Sequence, residues 1–159
     1  MKQLLITKGK FTLLDDDDYE RLGQVKVQYS CGYASFPVKD KSGKYHNQSL
    51  HRFIVNAPKG MEVDHINGDR LDNRRVNLRI CTRLENAKNR SISKLNKSGF
   101  KGVHFCRDRK RRKVWMASIR VDGKRITLGR YFNILEAALM YNQAAKQYHG
   151  QFAKLNLIF

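Results

Sequence analysis

Four residues carry chemistry at a spacing that invites a mechanism. Asp64 and His65 are adjacent, Asn77 lies twelve positions on, and Asn86 nine beyond that. Hydrolysing a phosphodiester takes a base near the attacking water, a cation to stabilise the leaving oxygen, and contacts that hold the phosphate. The Asp64 carboxylate and the Asn86 amide oxygen are hard ligands. Two of them, with the other positions left to water and phosphate, suit Mg²⁺. On a regular strand Asp64 and His65 point to opposite faces, so a twist or bulge is expected to bring both to one phosphate. Taken alone, an Asp-His pair is more often structural than catalytic. Arg70, Arg74, Arg75, Arg79 and Arg83 crowd the same stretch, and backbone phosphate contact accounts for them better than solvated charge alone.

The elements that must position these residues follow from pattern. Glu62–Ile66 reads as a strand, Asn67-Gly68-Asp69 as a tight turn, and Asn77–Ile80 as a second strand. Thr82 and Glu85 form a capping box that opens a helix running to about Arg90. Upstream, Asp15 to Asp18 precede a short helix that Gly23 stops; the acidic run suits the helix dipole and is read as a capped start rather than a metal site. Val25, Val27 and Tyr29 alternate with polar residues as a strand does. Asp40–Gly43 is a turn, and residues 50–55 are apolar and expected to be buried. Residues 91–98 are polar, basic and aperiodic, a linker. Three strands come next, at about 100–105, 114–121 and 124–128, the last two joined by the hairpin signal Asp122-Gly123. Residues 134–148 then read as a helix that Gly150 ends, with Ala137, Ala138, Ala144 and Ala145 letting it lie close to the sheet.

Composition narrows the partners. The chain has 159 residues, 32 Lys and Arg against 14 Asp and Glu, and a net charge of +18. This points to a polyanion. The excess is uneven: residues 1–96 carry net +7, residues 97–159 net +11. An anionic membrane is disfavoured because the basic residues sit in turn- and strand-like sequence, not on an amphipathic helix. No apolar run reaches 18 residues, which argues against a transmembrane span. Cys31, Cys81 and Cys106 are odd in number and far apart. They suggest neither a disulfide framework nor a structural zinc site, and a reducing, cytoplasmic setting is expected.

The full run Val63-Asp64-His65-Ile66-Asn67-Gly68-Asp69, Leu71-Asp72-Asn73-Arg74, Asn77-Leu78-Arg79 and Glu85-Asn86-x-x-Asn89 closely resembles the HNH homing endonucleases of phages and introns. That resemblance spans at least 50–90 and implies a ββα-metal fold. It makes Asp64 a metal ligand and His65 the general base. It has Asn77 holding the loop across the hairpin and Asn86 as second ligand in place of the family's last His or Asn. Asn rather than His there suggests Mg²⁺ or Mn²⁺, not tight zinc. His51-Arg52 matches a pair many such proteins show upstream; Arg52 is read either as a phosphate grip or as a packed, hydrogen-bonded side chain.

In the C-terminal stretch, Trp115, Ala117, Ile119 and Val121 fall on one strand face and Met116, Ser118 and Arg120 on the other. Ser98-Gly99-Phe100-Lys101-Gly102-Val103, Trp115-x-Ala117-x-Ile119-Arg120, Leu128-Gly129-x-Tyr131-Phe132 and Glu136-Ala137-Ala138-x-x-Tyr141-x-x-Ala144-Ala145 look like the Apetala-two (ethylene-response-factor) DNA-binding domain. By that resemblance His104, Ser118, Arg120, Arg125 and Thr127 face DNA, joined by Arg107, Arg109, Arg111 and Lys113 of the first hairpin loop. Trp115 faces the helix by strand parity and is read as core, with DNA contact, which some aromatics of that family make, as the alternative.

The expected architecture is therefore α+β: an HNH nuclease module over 1–92 (motif core 50–90), a linker at 93–98, and a three-stranded antiparallel sheet packed on one helix over 99–159. The expected function is site-selective cleavage of double-stranded DNA by a monomer or homodimer, with Arg52, Arg74, Arg75 and Arg79 among the phosphate contacts. The alternative is a non-catalytic DNA-binding regulator that keeps the HNH hairpin as scaffold.

Overall fold

A computed structural model describes residues 1–106 and 114–158. It divides into two compact units, Met1–Asn86 and Ala87–Phe159.

The first unit begins with an antiparallel hairpin that local pattern does not announce: β1 (Lys2–Ile6) and β2 (Lys10–Leu14). In β2, Thr12 and Leu14 point inward and are fully buried. Helix α1 (Asp16–Leu22) follows, with three aspartates in its first turn and Gly23 at φ 64° closing it. No side chain caps its N-terminus, so the acidic run has a different use. Asp15 Oδ2 accepts from the Arg75 amide at 2.8 Å, and the buried Asp18 holds the Arg75 guanidinium by both oxygens, at 2.7 and 2.8 Å. The strand expected around Val25 to Tyr29 is only β3 (Gln28–Ser30), the edge of a meander with β4 (Tyr33–Lys39) and β5 (Tyr45–Ser49). Asp40 accepts from the amides of Ser42 and Lys44 and forms the turn between β4 and β5. The apolar stretch at 50–55 is a short helix, α2 (Leu50–Ile54), whose Leu50 and Ile54 are buried.

The last part of this unit carries the motif. β6 (Glu62–His65) and β7 (Leu78–Cys81) pair antiparallel, and α3 (Arg83–Lys88) leaves β7. The capping box is formed: the Thr82 amide donates to Glu85 Oε2 at 2.7 Å and the Glu85 amide to Thr82 Oγ1 at 3.2 Å. Val63 and Leu78 join Ile6, Leu14, Leu22, Val27, Ala34, Phe36, Leu50 and Ile54 in one core. The loop between β6 and β7 is pinned to β2. The Leu13 amide donates to Leu71 O and the Asn73 amide to Leu13 O, both at 2.9 Å. The first hairpin is thus scaffold for the motif loop.

The second unit is a three-stranded antiparallel sheet, order β10-β9-β8, formed by β8 (Val103–Phe105), β9 (Trp115–Val121) and β10 (Lys124–Tyr131). Asp122 and Gly123 both have positive φ, as a tight two-residue hairpin turn demands. Helix α4 (Ile134–His149) packs across the sheet, with Asn133 accepting from the Leu135 amide at its start and Gly150 at its end. Ala137, Ala138, Ala144 and Ala145 are buried against Val103, Ala117 and Ile119. Small side chains permit that close approach, and Gly102 extends it: at φ 75°, any Cβ there would run into the Tyr141 ring. Among the described residues no helix is long and apolar enough to cross a membrane.

Candidate active site

Pairing through β6 is regular, Glu62 with Cys81, Asp64 with Arg79 and His65 with Leu78. Of the twist or bulge expected there, no bulge is present. Successive side chains therefore leave on alternate faces, and Asp64 and His65 serve two different environments at the end of the strand. Each is only 5 % exposed.

His65 faces a buried polar and aromatic pocket. Its ring centroid lies 5.2 Å from that of His51, edge-on, and 6.1 Å from that of Tyr33. Its Nε2 is 3.2 Å from Asn73 Oδ1. Burial pushes its pKa below the ordinary histidine value, against an opposing pull from the Asn73 hydrogen bond and from Asp64, Asp69 and Asp72. That direction favours the neutral imidazole, the form a general base requires. His51 is driven further, to about 4, by burial and then by His65 and Arg52.

Asn77 ties the loop ends together. Its Oδ1 accepts from the Asn67 amide at 2.9 Å, its Nδ2 donates to Asp72 O at 2.8 Å, and its carbonyl accepts from the Ile66 amide. Asp72 adds an Asn67 side-chain bond at 2.9 Å and a two-point pair with Arg74, which holds its carboxyl below the usual range.

On the other face, Asp64 Oδ2 accepts from Arg79 Nε at 2.8 Å and pairs with Nη2 of the same guanidinium. Glu62 lies two residues back on the same face, and its Oε2 accepts from Asn86 Nδ2 at 2.6 Å. That bond orients the Asn86 amide, so that Oδ1 is the atom left to offer a cation. The buried Cys81 thiol reports the local field: desolvation first, then Asp64, Glu62 and Glu85, raise it to about 11. Among the described residues no three His, Cys, Asp or Glu side chains converge as a complete protein cage would. A carboxylate and a carboxamide oxygen are the donor types of a hard divalent cation that keeps water and phosphate in most of its coordination sphere.

The arginines are largely committed within the fold. Arg52 donates to Met61 O at 2.6 Å, Pro58 O at 2.9 Å and Ala57 O at 3.3 Å, the packed alternative of its two readings. Arg74, Arg75 and Arg79 are each paired with an aspartate. Arg70 lies over the Tyr33 ring, 4.7 Å from its centroid. In the second unit His104, Arg120, Arg125 and Thr127 are exposed on the outer sheet face. Ser118 departs from its expected place at a DNA surface, being 5 % exposed: a short side chain on the central strand sits low between Thr127 and the Gly102 backbone. Trp115 packs with the helix-facing core. Arg107, Arg109, Arg111 and Lys113 lie outside the described residues.

Thr12, Tyr33 and Asn73 border the site, and pattern alone gives none of them a role there. Asn73 stands inside the motif, where its residue type hints at a polar contact. Nothing local marks Thr12 or Tyr33, which reach His65 only through tertiary packing.

Comparison with known proteins places these residues in context. Residues 56–88 match the family model described as HNH endonuclease. Protein 3.8 of Escherichia phage T7 is 34% identical over 97 residues, covering 61% of this chain and 77% of the phage protein. A protein of Acanthamoeba polyphaga mimivirus named "Uncharacterized HNH endonuclease L560" is 29% identical over 157 residues, 95% of this chain and 77% of its own length. No solved structure matches. With their motif loop closed by Asn77 and their Asp-His pair at the end of β6, residues 56–88 form an HNH endonuclease domain.

Proposed function

We propose that this protein is a site-selective, metal-assisted DNA endonuclease that hydrolyses one phosphodiester bond at a time. The observation that carries the reading is the buried His65, its Nε2 3.2 Å from Asn73 Oδ1, at the end of β6 beside Asp64. A phosphate laid across the end of that strand meets His65 from one face and Asp64 from the other, so no bulge is needed. His65 removes a proton from water, and the resulting hydroxide attacks phosphorus in line with the departing 3′ oxygen. Asp64 and Asn86 would hold Mg²⁺ or Mn²⁺, which when bound neutralises charge on that oxygen. Asn77 keeps the loop closed so that His65 holds its position. The ends expected are a 5′ phosphate and a 3′ hydroxyl.

The second unit supplies the grip. Its outer face presents Arg120, Arg125 and Thr127, and a short antiparallel sheet can enter a major groove. The architecture and the resemblance to the Apetala-two domain support reading this face as the DNA-recognition surface. One active site per chain makes a monomer a nicking enzyme; cutting both strands takes a dimer or two visits. The phage and giant-virus relatives fit a virus-borne enzyme that works inside a cell.

One observation favours a binding-only regulator: Arg79 already occupies Asp64 Oδ2. Nicking of supercoiled plasmid by wild type and His65→Ala, with Mg²⁺ and with EDTA, separates the two. The nuclease reading expects wild-type nicking that requires the metal and disappears in His65→Ala, with DNA affinity kept. Binding without nicking in wild type means a regulator.

A further inference from the structure

The hydrogen bonds behind His65 form a chain with a readable direction. Thr12 Oγ1 lies 2.8 Å from the Leu71 carbonyl oxygen, which can only accept. A hydroxyl has one proton, so that proton is spent on Leu71. The Asn73 amide atom 2.7 Å from Thr12 Oγ1 must therefore donate, which makes it Nδ2. Asn73 Oδ1 is then the atom turned toward His65 Nε2, and an oxygen there requires a proton on that nitrogen. Reversing the amide would leave the 2.8 Å contact between Thr12 and Leu71 without a hydrogen. Water cannot repair it, because Thr12 and Asn73 are both 0 % exposed. The backbone is equally fixed, with Leu13 bonded to Leu71 and Asn73 on either side of the side-chain contact.

We propose that Thr12 and Asn73 are positioning residues that lock His65 in the tautomer protonated at Nε2, making Nδ1 the nitrogen that takes a proton from water. A neutral imidazole carries one N–H, so fixing it on Nε2 leaves the lone pair on Nδ1. This rests on the nuclease reading for its purpose but not for its geometry. It also explains what the N-terminal hairpin contributes, since β2 brings the hydroxyl that orients the base's partner.

The test is a long-range ¹H–¹⁵N correlation spectrum of the full ¹⁵N-histidine-labelled chain at about pH 8, where an ordinary imidazole is neutral, with His65→Gln to assign the signal. The expected wild-type result is His65 protonated at Nε2 and bare at Nδ1. Thr12→Val, which removes only the hydroxyl, and Asn73→Ala should each give a mixed tautomer signal. Thr12→Ser, which keeps the hydroxyl, should restore the single tautomer. Asn73→Ala should lower the nicking kcat by about tenfold or more with KM for DNA unchanged, the signature of a weakened general base. A wild-type His65 protonated at Nδ1 overturns the proposal. So do folded Thr12→Val and Asn73→Ala variants that both keep the single tautomer and the wild-type kcat. Should those variants not fold, the wild-type spectrum decides alone. The Nε2-protonated form in a protein that does not nick DNA would uphold the relay and defeat the nuclease reading, whereas the opposite tautomer in an active enzyme would do the reverse.

Discussion

Acidifying the solution from about pH 7.5 to about pH 5 should weaken the first unit through His51. The ring is buried between Tyr33 and His65, its Nδ1 has no hydrogen-bond partner among the described residues, and it accepts a proton only at about 4 against an ordinary 6.5. A base whose folded pKa is depressed leaves stability intact above its unfolded value. It loses stability as pH falls below that value, because the unfolded chain takes up the proton first. At pH 5 the gap amounts to about 1.5 pH units of uncompensated binding. At roughly 1.4 kcal/mol per unit this gives a loss of about 2 kcal/mol, rising to about 3 once the pH reaches the folded value. His65 is shifted in the same direction and adds to the wild-type loss. The informative quantity is therefore the difference between wild type and His51→Phe, which retains a ring of similar shape. Urea unfolding followed by circular dichroism at the two pH values measures it. The variant should lose about 2 kcal/mol less than wild type on acidification; equal losses in both proteins would refute the assignment of the acid sensitivity to this ring.

Three further outcomes follow from packing and charge. Gly102→Ala should destabilise the second unit by about 3 kcal/mol, since the added methyl meets the Tyr141 ring at a backbone angle only glycine adopts easily; Trp115 fluorescence during denaturation reads that unit alone. Arg75→Met should cost the first unit about 2 kcal/mol by removing the two-point partner of the buried Asp18 carboxylate and leaving it only Arg21, 3.4 Å away, while DNA affinity at fixed salt changes little. In contrast, Arg120→Ala and Arg125→Ala should leave stability within about 0.5 kcal/mol and each reduce the slope of log affinity against log salt by about 1; an unchanged slope would take both residues out of the phosphate interface.

The contrast among these arginines shows where sequence reading works and where it stops. Alternation in β9 separates the helix-facing Ala117 and Ile119 from Arg120 correctly, because a two-residue period is a local property of an extended chain. Asp122-Gly123, the Thr82–Glu85 box and the alanines of α4 are legible for the same reason: each works within a few residues of itself. The charge cluster at 70–83 is legible as a cluster but not in its use. Whether Arg75 meets a phosphate or Asp18 depends on a contact across 57 positions. The hairpin β1–β2 escapes notice because it is mostly exposed on one face, with Leu5 and Phe11 outward, and its value lies in what it touches. At the candidate site, Asp64, His65, Asn77 and Asn86 are visible through their spacing, and their surroundings are not. The aromatic enclosure of His65 by His51 and Tyr33 comes from α2 and β4. The bonding of Asp64 to Arg79 follows from strand register, which a single sequence leaves open.

The junction of Leu13 with Leu71 and Asn73 bears on how portable the cutting motif is. The 33-residue stretch that matches the family model, 56–88, contains His65, Asp64, Asn86 and the loop clasp Asn77, yet the hydroxyl bonded to Asn73 arrives from outside it. Excised and grafted onto another protein, that stretch would keep its spelling and lose its setting. The same dependence holds in folding: the hydrogen bonds behind His65 can close only once β2 and residues 71–73 have met.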